Sequence, residues 1–291
     1  MHTPVLLNEV LQFLGPKPGE FMIDGTMDGG GHAAAILDRV GPQGKVLGID
    51  WDRGMVERAG VRFAEKKNMR CVAGNYADLP QILESAKLPK ADGLLLDLGF
   101  SSEQLESSGR GFSFLRDEPM LMTYDPAMPP VKQLLRELSE PDLAKIIFEF
   151  GGERFSRRIA KAVKERGRKR AIETSGELAE IVRGALPKGY ERGRIDPATR
   201  TFQALRIYAN RELENLERAL ANLPKVLAPG GRAVVISFHS LEDKIVKIGF
   251  KIMEKEGTIR IITKKPAVAS REEMMSNPRS RSAKLRTAII S

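Results

Sequence analysis

Short apolar runs recur along the first hundred positions, and each is followed by a segment with apolar residues at helical spacing. Val5, Leu6, Val10, Leu11 and Leu14 predict an amphipathic helix over 5–14, ended by Pro16 and Pro18. Four runs then read as strands, at 21–24, 45–50, 69–72 and 93–97, with helices expected near 32–40, 53–66 and 79–87. Near-continuous apolar strands that alternate with helices imply a parallel sheet covered on both faces.

The pattern changes after residue 97. A glycine- and serine-rich loop over 99–113 leads into about ninety residues without strand character. Ser139-Glu140-Pro141-Asp142 and Thr174-Ser175-Gly176-Glu177 both read as helix starts, with the cap residue three positions before an acid. Asp196-Pro197-Ala198-Thr199 opens a long helical pattern, Phe202 to Leu223, that runs toward Pro224. Strand character returns at 232–237, followed by a helix near 241–255. Two further runs, 258–262 and 285–290, could pair antiparallel at the sheet edge. The fold class is therefore α/β, with one domain built from 1–103 and 201–291 and an all-helical insertion at 104–200. No internal repeat or low-complexity segment interrupts it.

The stretch 21–32, FMIDGTMDGGGH, gives this sheet a candidate chemistry. A buried strand ends on Asp24, Gly29, Gly30 and Gly31 make a turn, and a helix begins. Glycines let the backbone approach a ligand, and the helix start presents unpaired N–H groups to it. The second strand ends on Asp50, 26 residues after Asp24. An acid there suits a ribose hydroxyl pair in a doubly wound sheet. These two features leave a dinucleotide and S-adenosylmethionine both open.

Asp97 ends the fourth strand, on the edge where open parallel sheets bind ligands, and Phe100 follows it by three. An exocyclic amine on a base is a weak nucleophile, because its lone pair is delocalised into the ring. A carboxylate accepting from its N–H groups pushes that lone pair toward a methyl donor, and an aromatic face can hold the extruded base. An acid followed at this spacing by an aromatic resembles the corresponding loop of amino-methyltransferases.

Composition narrows the partners. The 291 residues carry a formal charge of +9, which favours a polyanion. Nine Lys or Arg and one acid lie between Arg154 and Arg170, and a second basic cluster runs from Lys264 to Arg286. Together these favour a phosphate-tracking surface. The single cysteine, Cys71, rules out an internal disulfide and a cysteine metal cluster, and reads as a small core residue. His239 has no second histidine at ligand spacing. It reads as part of a polar cluster that caps the next helix and lines the substrate side of the cleft, so no metal is expected. No apolar run approaches ~20 residues, so no membrane span is expected, and the start lacks a signal peptide, which suggests a cytoplasmic protein.

Read together, these stretches resemble the RsmH (MraW) family of bacterial methyltransferases over nearly the whole chain. The likeness includes His2-Thr3-Pro4-Val5-Leu6-Leu7, Asp24-Gly25-Thr26 with Gly30-Gly31-His32, and Gly48-Ile49-Asp50. It continues through Leu96-Asp97-Leu98-Gly99, Arg110-Gly111-Phe112-Ser113-Phe114, Glu153-Arg154-Phe155 and Pro197-Ala198-Thr199-Arg200. It closes with Ser237-Phe238-His239-Ser240-Leu241-Glu242-Asp243 and Asn277-Pro278-Arg279.

The resemblance implies a Rossmann-like fold that uses S-adenosylmethionine. It carries cofactor-binding roles onto Gly30, Gly31, His32, Asp50, Tyr76, Asp97 and Gln104; Asp97 and Phe100, from the loop after the fourth strand, are the catalytic candidates. It implies that the insertion helps hold RNA. The implied substrate is the N4 amine of a P-site cytidine in 16S ribosomal RNA of the small ribosomal subunit, acted on by a monomer or homodimer. Asp28 stands where the family usually has glycine, Leu121 and Thr123 replace an acid and an arginine, and Trp51 after Asp50 is unusual. Two other functions fit the same residues: a DNA amino-methyltransferase, and a non-catalytic RNA-binding assembly factor.

Overall fold

A computed structural model describes residues 4–99, 109–187, 189–190 and 196–291. The chain falls into two units, Met1–Gly99 with Leu213–Ser291, and Phe100–Glu212.

The first unit is organised by a seven-stranded sheet. Its strands are β1 (Phe21–Asp24), β2 (Lys45–Asp50), β3 (Met69–Ala73), β4 (Ala91–Asp97), β5 (Leu227–Ser237), β6 (Ile259–Ile261) and β7 (Lys284–Ile290). They lie in the order β3-β2-β1-β4-β5-β7-β6. The first five are parallel, and β7 runs antiparallel between β5 and β6. The two last runs do pair antiparallel as expected, with β6 at the edge. The chain moves outward from β1 through β2 to β3, then returns to β4 on the other side of β1. Its switch point therefore lies between the carboxyl ends of β1 and β4.

Among the described residues the α-helices in chain order are α1 (Leu7–Leu14), α2 (Gly31–Val40), α3 (Arg53–Arg62), α4 (Leu79–Ser85), α5 (Val131–Glu137), α6 (Glu140–Gly151), α7 (Ser156–Lys169), α8 (Ser175–Ala185), α9 (Thr199–Ala209), α10 (Glu212–Ala221), α11 (Leu223–Val226), α12 (Ser240–Lys255) and α13 (Arg271–Ser276). Successive strand residues point to opposite faces, so each apolar run feeds two cores. Met22, Val46, Leu95 and Val234 pack with Val10 and Leu14 of α1 and Ile36 of α2. Ile23, Leu47, Leu94, Leu96 and Val235 pack with Leu83 of α4, Leu220 of α10 and Phe250 of α12. Cys71 lies on β3, the edge strand, and is half-buried rather than a core residue.

The second unit is helical, with a core that includes Val131, Leu143, Ile147, Ile159, Leu178 and Phe202. Both sequence caps are present. Ser139 accepts from the Asp142 N–H at the start of α6, and Thr174 forms a full capping box with Glu177 at α8.

Four expectations change. The long helix read from 196 toward Pro224 is two helices, broken at Asn210 and Arg211, where Arg211 takes φ 49°. Asn210 is buried, and its amide donates to the Met122 carbonyl (2.8 Å) while accepting from the Tyr124 N–H (2.8 Å). The second unit consequently runs to Glu212, past the limit of 200 read from the sequence, because Phe202, Leu205 and Ala209 of α9 pack into its core. β5 starts at Leu227 rather than 232. It carries Gly230 at φ 79°, and its register on β4 shifts between Ala91 and Gly93. Finally α3 stops at Arg62, short of 66.

Candidate active site

The turn after β1 is shaped by what its glycines face. Gly30 takes φ 73° as the cap of α2, and a Cβ there would lie 2.6 Å from Phe63 Cε2. A Cβ on Gly31 would lie 2.5 Å from Pro4 Cγ. These two glycines therefore let the turn sit down on Phe63 and Pro4. Gly29 differs: nothing lies within 4 Å of a Cβ built there, so its face is open. Arg62 lies over the Phe63 ring and donates to the Gly29 carbonyl.

The turn and the β4 loop meet. The Asp97 N–H donates to Thr26 Oγ1 at 2.6 Å, and His32 Nε2 lies 3.4 Å from Asp97 Oδ2. At 3.4 Å the His32 contact is longer than a well-formed hydrogen bond, and it becomes an ion pair when the imidazole is protonated. Both ring nitrogens of His32, Asp97 Oδ1 and Asp24 Oδ2 are buried and make no hydrogen bond among the described residues. Unmet buried polar atoms cost free energy, so a group of them converging on one place is a sign of ligand chemistry.

Asp50 ends β2 beside this turn. Its two oxygens each accept one backbone N–H at 2.8 Å, from Asp28 and from Asp52. Each oxygen keeps lone-pair capacity for a hydroxyl. Tyr76 opens a single 3₁₀ turn capped by Asn75. Its Cβ lies 3.3 Å from where a Gly25 Cβ would sit, which brings it to the end of β1. Gly30, Gly31, His32, Asp50, Tyr76 and Asp97 are thus gathered along the carboxyl ends of β1, β2 and β4. Phe100 and Gln104 lie outside the described residues.

Burial and like charge perturb the titratable groups. Desolvation raises the Asp24 carboxyl to about 6, with His32 and the Thr26 N–H opposing that rise. Desolvation likewise raises Asp50 to about 7, against the two backbone N–H bonds it accepts. Burial alone would depress His32, but Asp97, then Asp24 and Asp28, outweigh it and hold the imidazole above its ordinary value. The site is a cluster of acids at the switch point with one histidine among them.

Several participants escaped the sequence reading. Asp24 was legible as the end of a strand, but its unmet oxygen was not. Thr26, which seats Asp97, left only its place two residues after Asp24. Phe63 supports Gly30 from 33 residues away, with no local signal. Phe238 was read as part of a capping cluster, and it also packs beside the β4 loop, 2.8 Å from where a Gly99 Cβ would be. His239 does cap α12, in a box with Glu242.

The basic clusters are partly internal. In the tail, Arg286 is buried and bonds Asp243 Oδ1 at 2.7 Å, with Lys284 on the other oxygen. On α7, Ile159, Ala160 and Val163 are buried, and Lys164 Nζ donates to the carbonyls of Leu135 and Arg136 at the end of α5. Leu121 and Thr123 sit in a segment tied down by backbone bonds to Arg110 and Val131, and Thr123 is buried.

A 3-2-1-4-5-7-6 sheet with one antiparallel strand, and acids and glycines gathered at its switch point, defines an α/β methyltransferase. Residues 1–290 match the model of the MraW methylase family, and the chain belongs to that family. It is 44% identical over 306 residues to the ribosomal RNA small subunit methyltransferase H of Syntrophus aciditrophicus, covering 99% of this chain and 96% of that one. It is 46% identical over 288 residues to the protein of the same name from Deinococcus deserti, covering 99% and 93%.

S-adenosylmethionine, the methyl donor of such enzymes, fits the residues present. It bears a sulfonium and an ammonium against one carboxylate, so it is net positive where the site gathers acids. Its methionine end has room against the open face of Gly29, and its ribose hydroxyls have acceptors on Asp50.

Proposed function

We propose that this chain methylates the N4 amine of a P-site cytidine in 16S ribosomal RNA of the small ribosomal subunit, in the cytoplasm. The observation that carries this reading is the His32–Asp97 contact, which joins the glycine turn after β1 to the end of β4. The shared name of the relatives supports RNA of the small subunit as the substrate. S-adenosylmethionine, when bound, supplies an electrophilic methyl group.

The chain's own residues do the rest. Gly30 and Gly31 keep side chains out of the turn, and Asp50 accepts from the ribose hydroxyls. Tyr76 flanks the adenine. Asp97, held through its N–H by Thr26 and on one oxygen by His32, offers its other oxygen to the amine hydrogens. That draws the nitrogen lone pair out of the ring and toward the methyl. The new ammonium-like proton is acidic, so little base strength is required. Phe100 and Gln104 lie outside the described residues; Phe100 keeps the base-stacking role read from its loop, and Gln104 the cofactor-binding role the family resemblance gives it.

Transfer of label from methyl-labelled donor to small-subunit particles tests this. Asp97→Ala is expected to lose at least a hundredfold in kcat while circular dichroism and thermal melting stay those of a folded protein. Normal turnover by that variant would reject the assignment. Label entering duplex DNA instead of the particle would move the chain to the DNA amino-methyltransferase reading.

A further inference from the structure

We infer that the amino-terminal edge of the sheet, opposite the active site, is a second RNA-contact surface of this enzyme. This rests on the ribosomal RNA reading above and adds a separate surface to it. Because β1 to β5 are parallel, the segments leading into them all emerge on one edge. Those segments carry Lys17 before β1, Lys45 at the start of β2, Lys66 and Lys67 before β3, Lys87 and Lys90 before β4, and Lys225 before β5. All seven are exposed, and none forms an ion pair among the described residues. Lys90 alone bonds a neighbour, the Pro224 carbonyl. The same segments hold three acids: Glu20, paired with Arg232 at 2.8 Å, Asp92 near the start of β4, which accepts the Phe21 N–H at 2.8 Å, and Glu65, which is exposed.

The opposite edge carries Asp24, Asp28, Asp50, Asp52 and Asp97, so the sheet is polarised from end to end. Cations within a Debye length, about 8 Å at physiological salt, bind phosphate most strongly. The basic edge meets that need. It also has a cavity of about 350 Å³, with Phe21, Met69 and Leu88 in its wall and Lys45, Lys67 and Arg70 among its lining residues. An apolar wall with cations at the rim suits one unstacked nucleotide, with the base inside and phosphates on the lysines.

The test compares Lys45→Glu/Lys67→Glu/Arg70→Glu with Lys247→Glu/Lys251→Glu/Lys255→Glu, three equally exposed cations of α12, in the full chain. Small-subunit particle affinity by filter binding, KM for the particle, donor affinity and their salt dependence are read for each. The edge variant is expected to raise particle Kd and KM at least tenfold and to lower the log–log salt slope by about 2 to 3, with donor affinity and kcat unchanged. The α12 variant should change particle affinity less than threefold. The milder Lys45→Ala/Lys67→Ala/Arg70→Ala should move the same way, which separates charge loss from misfolding. Single-stranded RNA should compete for the edge better than a duplex of equal length.

Equal losses from both triple variants, or none from the edge variant, would overturn the inference while leaving the methylation reading intact. A wild-type chain that neither binds nor methylates the particle would overturn both.

Discussion

Asp24 shows how a single residue can hold stability against function. It is buried at the end of β1, with one oxygen unmet and its carboxyl raised to about 6. An acid whose native pKa exceeds its unfolded value takes up a proton on folding. Its ionisation therefore opposes folding increasingly as pH climbs from about 4, and fully above about 6. Asp50, raised to about 7, adds to that loss. His32 is raised too, so its favourable contribution is complete below its ordinary value and fades as pH climbs past the native one. All three have the same sign. The cofactor-free protein should melt at a lower temperature at pH 8 than at pH 6. Asp24→Asn should raise the pH 8 melting temperature by a few degrees, flatten the trend and weaken donor binding. A melting temperature that climbs toward pH 8 would contradict this account.

The glycines give a paired test at the same scale. Gly30→Ala places a Cβ against Phe63 in a positive-φ position and should cost about 1–3 kcal/mol of stability by denaturant titration. Gly29→Ala meets nothing, so stability should hold while calorimetric affinity for the donor falls. The sequence marked all three glycines alike. Only Phe63 and Pro4, contacts made at a distance, tell them apart.

Elements were legible where local rules decide them. The Thr174 box can be read from four consecutive residues, and Thr174→Ala should cost about 1 kcal/mol with little effect on donor affinity. Apolar runs located β1 to β4 to within two residues because those strands are buried on both faces. The α9–α10 break was not legible. The apolar spacing continues through Asn210, and what interrupts the helix is an amide bonded to Met122 and Tyr124, 88 and 86 positions away. The start of β5 was missed because glycines there suggest a turn, whereas Leu227 already pairs with Ala91 and the glycines fall where the register shifts. Charge was the least legible feature. Lys284 and Arg286 looked like a surface cluster until Asp243 was found between them.

At the scale of the molecule, a parallel sheet sorts residues by where they stand relative to a strand. Acids that follow strands gather at one edge, where we propose that the cationic donor binds. Lysines that precede strands gather at the other. The family's glycines and acids made the first edge readable before any coordinates. The second emerges only once five strands are known to run the same way. The central claim is that the site at the switch point moves a methyl group onto a cytidine amine, with Asp97 as its acceptor. Nucleoside mass spectrometry of small-subunit RNA, incubated with labelled donor and either the wild type or Asp97→Asn, tests this most directly. The account predicts labelled N4-methylcytidine with the wild type and none above background with the variant. Label on another base, or an equal yield from Asp97→Asn, would contradict it.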